Sequence, residues 1–365
     1  MSDSSTSVPQ PSDSRDDPGL TRLIYGAMPL GGSWSADDPL TEEQEEVGFA
    51  ALDAAEEAGY RDLDLADIYA AGKSETVVGR WLAQDPQRRQ RMQVQTKAGI
   101  RIPGGTAAGD APMHYRLDAA TVRGSLEKSL TRLGLESVER FFIHRWDPLA
   151  DLDELGAALD AIVDEGLARR VAVSNMPWDR LQLLQQAMTS PLSAAQVQLS
   201  LDHRDLIEAQ ILWNHPEGRT TVQDGTFLER CARAGIEVQA WGSMAQGIFT
   251  GAPAPSSTDE VRNLQPTIEL VRQLAQELDC SREAVVLAWL MRLPQRIRPV
   301  IGTTSPERIR ACAQAGAPLL VRTLSLRAIM VIATAVAARR RVASMRRWSR
   351  GRAGATTGPG GDLGP

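Results

Sequence analysis

The feature of this sequence that most constrains its fold is a regular alternation of short apolar runs with longer amphipathic runs, which begins at Thr21. The short runs are typical of buried strands, and the longer runs have the apolar spacing of helices that pack on a core. This alternation predicts a parallel α/β fold, and eight strands can be counted. The 365 residues allow one large domain or two smaller ones, and a single-domain (β/α)₈ TIM barrel with two tails is the simpler solution.

Two segments interrupt this rhythm. Residues 202–225 follow the sixth strand, and residues 281–292 form an apparent extra helix before the eighth strand. Loops on the carboxyl side of a parallel barrel usually shape the substrate pocket. Residues 202–225 are therefore the better candidate for a segment that determines substrate specificity.

Four polar residues lie at or just past the ends of strand-like runs, and they are Asp64, Tyr69, Lys97 and His144. Because the strand ends of a closed parallel barrel converge on one face, these side chains are expected to lie together. A tyrosine hydroxyl titrates at about pH 10, so as a general acid at neutral pH it needs a neighbouring cation. A lysine held by a buried carboxylate supplies that cation, and Lys97 and Asp64 fit these roles. The four residues together predict a site that protonates a carbonyl.

Beyond this quartet, the sequence resembles the aldo-keto reductase family over about residues 20–315. Four segments carry the resemblance: 69–79, similar to the family's tyrosine loop and following helix; 129–144, similar to its helix and strand that end in the catalytic histidine; 170–176, similar to its fifth strand; and 299–309, similar to its last strand and cofactor-phosphate segment. With the quartet they make five ordered motifs.

The resemblance implies an extended nicotinamide cofactor across the barrel mouth, and no G-x-G-x-x-G follows a strand as a Rossmann site would require. The positions that match the family's cofactor contacts are Ser174, Asn175 and Gln196 for the carboxamide, Trp241 for stacking on the nicotinamide, Gly242, Ser243, Met244 and Gly247 for the loop over the pyrophosphate, and Thr303 and Arg308 near the adenosine 2′-phosphate.

A planar guanidinium favours a phosphate dianion, so Arg308 indicates NADPH rather than NADH. Gly302, where many relatives have a lysine, weakens that preference, and Cys312 replaces a common polar residue on the adenine side. The expected reaction is the reduction of an aldehyde or ketone by hydride transfer. Tyr69 would donate the proton as general acid, and His144 would orient the carbonyl or share in proton relay.

Aromatic and apolar residues after several strands are candidates for a pocket that binds an apolar or aromatic carbonyl compound. They are Trp34, Trp146 and Trp213, with Met28 as a weaker candidate. Ordinary loop packing explains them equally well. Relatives with this plan handle sugars, steroids, aldehydes and quinone-like compounds, so the resemblance does not name the substrate.

Each site residue also has a plainer explanation. Asp64 alone can be a helix cap or an ion-pair partner, Tyr69 a half-buried loop residue, and His144 a satisfied core residue. Arg308 can be a solvated charge and Trp241 a core residue. Their occurrence together and in this order favours the catalytic interpretation.

Three other classes of function compete with a reductase. A regulatory subunit of the same fold can keep the cofactor while its role is to contact a membrane channel or another partner; the intact quartet disfavours this, and the unusual basic tail supports it. A barrel glycosidase needs two carboxylates at strand ends about 5–10 Å apart, but the fourth and seventh strands end in His144 and Trp241. No metal site is predicted, because the four histidines show no paired ligand spacing.

Cysteine usage and the chain ends bear on the compartment and on partners. Three scattered cysteines indicate neither a disulfide framework nor a zinc site, and fit the cytoplasm. Residues 1–19 lack the apolar region of a secretory signal and are predicted to be a disordered leader. No apolar stretch is long enough to span a bilayer, and no nucleic acid is expected as partner.

The last segment, residues 316–365, contains nine arginines and one acidic residue. A solvated or disordered basic tail is the main prediction. A basic amphipathic stretch in contact with an anionic lipid or nucleic acid is the weaker one. A shifted reading frame near residue 317 would also explain the change in composition.

Overall fold

The computed structural model describes residues 21–109, 111–214, 224–252 and 258–316. Its strands are β1 (Ile24–Gly26), β2 (Asp62–Asp64), β3 (Gln93–Ala98), β4 (Ile100–Arg101), β5 (His114–Tyr115), β6 (Arg140–Ile143), β7 (Val171–Ser174), β8 (Leu192–Gln198), β9 (Glu237–Trp241) and β10 (Arg298–Ile301). Eight of these form a closed parallel barrel in the order β1-β10-β9-β8-β7-β6-β3-β2, and β4 pairs with β5 in a small antiparallel sheet. The predicted (β/α)₈ barrel is confirmed.

Helices connect the barrel strands and cover the outside of the sheet. They are α1 (Glu42–Glu57), α2 (Lys73–Gln84), α3 (Arg88–Arg91), α4 (Ala119–Leu133), α5 (Leu152–Asp164), α6 (Trp178–Gln186), α7 (Asp205–Ile211), α8 (Phe227–Arg233), α9 (Thr258–Glu277), α10 (Arg282–Met291) and α11 (Pro306–Ala313). Side-chain caps start several of them, since an N-cap oxygen satisfies a free backbone N–H. Ser281 caps α10, which is the extra helix predicted before the last strand, and Ser305 caps α11.

The interior of the barrel is polar at its floor, where the amino-terminal ends of the strands meet. The Arg298 guanidinium donates to both oxygens of Asp62, at 3.3 and 2.6 Å, and to the Arg22 carbonyl oxygen at 2.9 Å. Glu237 accepts from Arg298 at 3.4 Å and from Arg140 at 3.0 Å. Asp62, Arg140 and Arg298 are buried and Glu237 is partly buried, and all four are paired, which is the condition under which buried charge is tolerated.

Several predictions concern parts of the chain that the structure does not describe. The leader and nearly all of the basic tail lie outside the described residues, as do residues 215–223 of the segment that follows the sixth strand. Within the described residues, no helix has both the length and the apolar character needed to cross a membrane. The same residues hold no cluster of three or more His, Cys, Asp or Glu side chains suited to a metal ion.

Candidate active site

The loop after β2 carries Tyr69 over a buried lysine at the mouth of the barrel. The Lys97 ammonium donates to Asp64 Oδ2 and to the Leu65 carbonyl oxygen, each at 2.7 Å. Its Nζ lies 3.2 Å from the Tyr69 hydroxyl oxygen. An ammonium has three donors, so these three contacts use all of them. The cation is therefore fixed against the phenol.

A buried glutamate anchors the strained part of this loop. Ala70 and Ala71 have left-handed backbones, with φ of 47° and 56°, a conformation that side-chain-bearing residues adopt only at a cost. Just downstream, the fully buried Glu75 accepts from the Thr96 hydroxyl on β3 at 2.6 Å and from Arg132 Nε on α4 at 2.7 Å. These contacts tie the start of α2 to the barrel and hold the loop in place.

Two glutamines hold the other oxygen of the Asp64 carboxylate, and a third glutamine orients them. Gln95 and Gln196 each donate an amide hydrogen to Asp64 Oδ1, at 2.7 and 2.9 Å. Their amides also donate to Gln239 Oε1, at 2.8 and 3.0 Å. With Lys97 on Oδ2, both oxygens of the carboxylate are hydrogen-bonded, which holds it against the lysine.

This arrangement shifts the pKa values of the phenol and the lysine. Burial raises the pKa of Tyr69, and the adjacent Lys97 charge opposes that shift without reversing it. Burial alone would lower the pKa of Lys97, but the Asp64 carboxylate and the phenol outweigh it and the net direction is upward. At neutral pH the lysine is therefore charged and the tyrosine holds its proton, as a general acid must.

His144 follows β6 and faces the tyrosine. The two rings lie nearly perpendicular, with centroids 5.9 Å apart. Burial, followed by the charges of Lys97 and Arg145, holds the pKa of His144 well below its ordinary value, so the imidazole is neutral at pH 7. Its Nδ1 is buried and has no hydrogen-bond partner among the described residues. A neutral imidazole carries one N–H, which can act as a hydrogen-bond donor where His144 lines the barrel mouth.

An elongated cleft of about 680 Å³ begins at this site and crosses the mouth of the barrel. We call it the main cleft, and its lining includes Asp64, Tyr69, His144 and all ten residues predicted to bind the cofactor: Ser174, Asn175, Gln196, Trp241, Gly242, Ser243, Met244, Gly247, Thr303 and Arg308. The structure thus brings the two sets of predicted residues together along one surface. Their individual roles stay predictions.

Hydrogen bonds connect the side chains in the part of the main cleft next to the quartet. The Trp241 indole Nε1 donates to Asn175 Oδ1 at 2.9 Å. The Asn175 amide donates in turn to the Ser174 hydroxyl at 2.9 Å and to the His144 carbonyl oxygen at 3.3 Å. A flat indole face and hydrogen-bonded polar groups beside the predicted catalytic residues suit a nicotinamide ring with its carboxamide.

Part of the loop after β9 can approach a ligand in the main cleft through its backbone. Gly247 has φ of 82°, and a Cβ there would come within 2.8 Å of Ala252 and of the Arg308 guanidinium. Ser243 is turned away, because its hydroxyl donates to the Val300 carbonyl oxygen at 2.7 Å. A close approach of backbone without side chains fits a pyrophosphate, so the residues present suit a dinucleotide here.

The far end of the main cleft contains a cation and a carboxylate. Arg308 donates from Nη2 to the Thr250 hydroxyl at 2.7 Å, and its Nε lies 3.4 Å from Glu283 Oε1. Thr303 lines the same end. Gly302 faces open space, since a Cβ there would meet nothing within 4 Å.

The four candidate substrate residues differ in position. Met28 lines the main cleft, and Trp34 packs edge-on against Tyr69 with ring centroids 6.2 Å apart. Trp146 does not line the main cleft. The guanidinium carbon of a neighbouring arginine lies 4.7 Å from the centroid of the Trp146 ring. Trp213 is 84% exposed at the edge of the described residues. Met28 thus lines the main cleft and Trp34 contacts Tyr69, whereas Trp146 and Trp213 show neither contact.

Sequence reasoning missed two of the glutamines that support the site. Side chains at alternate positions of a barrel strand share one face, so a residue two places before an inward-facing one also points inward. Gln95 stands two places before Lys97, and Gln239 stands two places before Trp241. The spacing of two residues from an inward-facing side chain is therefore the sequence signal that identifies Gln95 and Gln239.

A third missed residue is Asp67, on the loop that carries Tyr69. Its two carboxyl oxygens are buried and have no hydrogen-bond partner among the described residues. Burial raises the pKa of Asp67 to about 7, Glu75 adds to the rise, and Arg101 and Arg132 oppose it. The sequence offers no signal that separates it from an exposed loop aspartate.

Comparisons with known proteins agree with this geometry. Residues 22–323 match the model of the aldo/keto reductase family. The chain belongs to this family. It is therefore an NAD(P)H-dependent oxidoreductase, and the resemblance read from the motifs is confirmed.

Individual members of the family show the extent of the similarity. This aldo/keto reductase is 33% identical over 298 residues to 6-dehydroglucose reductase from Agrobacterium fabrum (strain C58), which covers 81% of this chain and 89% of the relative. It superposes on glycerol dehydrogenase from Gluconobacter oxydans with a TM-score of 0.70 and 21% identity, over 88% and 94% of the two chains. An aldo/keto reductase from Klebsiella pneumoniae, solved with NADP and acetate, gives a TM-score of 0.62 at 22% identity, over 86% and 90%.

Proposed function

We propose that this protein reduces aldehydes or ketones to alcohols with NADPH, and that Tyr69 is the general acid. The observation that carries the proposal is the chain of contacts from Asp64 through Lys97 to the Tyr69 hydroxyl, which opens on the main cleft beside a neutral His144. A protonated phenol held against a buried cation is suited to give up its proton only when charge develops next to it.

The chemistry divides between the cofactor and the chain. When bound, the nicotinamide supplies the hydride that goes to the carbonyl carbon. The carbonyl oxygen accepts hydrogen bonds from the Tyr69 hydroxyl and the His144 N–H, which orient it. As negative charge develops on that oxygen, Tyr69 transfers its proton to it. The Lys97 ammonium, 3.2 Å away, stabilises the phenolate that remains until solvent returns a proton.

Within the main cleft, Trp241 and Asn175 would hold the nicotinamide end, and Thr303 and Arg308 the adenosine end. A guanidinium binds a phosphate dianion with two parallel hydrogen bonds, which supports NADPH as a cofactor. Met28 in the lining of the main cleft and Trp34 against the Tyr69 ring favour a carbonyl substrate with an apolar or aromatic part.

The test is a titration of the purified protein with NADPH and with NADH, followed by oxidation of the bound cofactor with a panel of aromatic and aliphatic carbonyl compounds. Tyr69→Phe is expected to lower kcat by ~10²- to 10⁴-fold while the Kd for NADPH stays unchanged. Tight binding without turnover in the wild type would instead support a regulatory subunit of the same fold. Absence of binding to either cofactor would refute the proposal.

A further inference from the structure

The adenosine end of the main cleft, which is the far end that contains Arg308, has one positive and one negative side chain. Glu283, in the first turn of α10, lines the main cleft, and its carboxylate pairs with Arg308 at 3.4 Å. Its side chain is 13% exposed, so it is directed inward rather than into bulk solvent. Besides Arg308, the basic residue lining the described part of the main cleft is Arg145, which follows His144 at the opposite end.

Glu283 is not needed to start its helix. Ser281 already caps α10, because its hydroxyl accepts from the Ala284 N–H at 3.1 Å. Nor is it needed to hold Arg308, which is anchored separately on Thr250. The carboxylate therefore has a position in the main cleft that the local structure does not require.

The two cofactors differ only at the adenosine 2′ position, where NADPH has a phosphate and NADH has a hydroxyl. A carboxylate a few ångströms from a phosphate dianion repels it, and a carboxylate beside a ribose accepts hydrogen bonds from its hydroxyls. Gly302, which leaves open space nearby, adds no second cation to offset the repulsion.

We propose that Glu283 sets the choice of cofactor by opposing the 2′-phosphate and accepting from the 2′,3′-diol, so that the protein uses NADH as well as NADPH. This inference rests on the proposed function, because it assumes that the cofactor lies along the main cleft with its adenosine at Arg308. Glu283 is a specificity-determining residue here and takes no part in the proton transfer.

Direct binding tests the inference without any substrate. The Kd values for NADPH and NADH would be measured by quenching of tryptophan fluorescence in the wild type and in Glu283→Gln. The variant keeps the shape of the side chain and removes its charge. It is expected to bind NADPH ~10-fold more tightly and NADH ~3-fold more weakly.

Glu307→Gln is the matched control. Glu307 is an exposed acid in the first turn of α11, next to Arg308 in sequence, and does not line the main cleft. Its loss removes the same charge, and both Kd values are expected to stay within ~2-fold of the wild type because solvent and salt screen it. A shift equal to that of Glu283→Gln would overturn the inference.

Fragment binding supplies a second measurement that isolates the adenosine end. Calorimetry on Glu283→Gln and Glu283→Ala would compare 2′,5′-ADP with 5′-AMP. Both variants are expected to gain affinity for the 2′-phosphorylated nucleotide only. Unchanged ratios for the dinucleotides and the fragments would refute the role of Glu283 and leave the reductase proposal intact. Absence of binding of both dinucleotides to the wild type would refute both.

Discussion

Two buried aspartates on one strand show how the same kind of ion pair serves two purposes. Asp62 and Asp64 lie two places apart on β2, and each is held by a buried cation, Arg298 and Lys97 respectively. At the floor, each nitrogen of the Arg298 guanidinium donates to an oxygen of the protein. At the mouth, one contact of the cation goes to a hydroxyl that lines the main cleft.

The difference lies in where the chain of contacts ends. The floor ions pair with one another, and Glu237 also accepts from the Gln239 amide at 2.9 Å, so the floor is joined to the mouth through neutral glutamines. The mouth network ends at the Tyr69 hydroxyl, whose other side faces the space where a carbonyl would bind. In barrels of this class the floor stabilises the fold and the mouth carries the chemistry. Asp62 and Asp64 are the same residue type, and their different depths along β2 give them a structural and a proposed catalytic role respectively.

Paired substitutions on β2 give the largest expected effects. Asp64→Asn removes the charge that keeps Lys97 in place, and we expect kcat to fall by about 10²-fold with the Kd for NADPH unchanged. Asp62→Asn leaves Arg298 buried with one partner fewer, and we expect the free energy of unfolding to fall by about 3 kcal/mol with kcat per folded molecule unchanged. Stopped-flow turnover and urea unfolding measure the two quantities. Equal loss of kcat in both variants would contradict the division between floor and mouth.

A smaller effect is expected at Asp67, a buried carboxyl near the mouth that lacks the partner its neighbours have. In the unfolded chain it loses its proton at about pH 4, whereas in the folded protein burial raises its pKa to about 7. Folding therefore becomes less favourable as the pH rises between these values. Asp67→Asn should raise the free energy of unfolding by on the order of 2 kcal/mol at pH 8 and by less at pH 5. A gain that is the same at both pH values would show that ionisation is not its cause.

The smallest effect is expected in the middle of the barrel. Gln239→Leu removes the acceptor that orients the amides of Gln95 and Gln196 toward Asp64, each worth about 1 kcal/mol as a hydrogen bond. We expect kcat to fall by ~3- to 10-fold while KM stays constant, since the glutamines position the carboxylate and do not contact substrate. A rise in KM with constant kcat would assign Gln239 to binding instead.

The sequence predicted the mouth of the barrel better than its floor. The alternation of apolar and amphipathic runs predicted the barrel. Positions at strand ends identified Asp64, Lys97 and His144, because the carboxyl ends of parallel strands meet at one face. Asp62 was missed because an acidic residue inside a strand is ordinarily an exposed one. Closure of the barrel decides which alternate strand positions face the interior, and the local sequence does not reveal this. The orientation of a loop side chain such as Trp213 is equally hard to predict, because it depends on packing against distant parts of the chain.

The barrel closes by pairing β1 with β10, with Ile24 beside Val300. The pairing of β1 with β10 can therefore form only after β10, the last barrel strand, has been synthesised. Arg298, the partner of Asp62, lies on that strand. Contacts so distant in sequence form slowly, because the intervening chain must first be ordered. Until β10 and α11 have been synthesised, Asp62 lacks its counter-ion, and the adenosine end of the main cleft lacks Arg308. Closure of the barrel is therefore expected only after almost all of its strands have been synthesised.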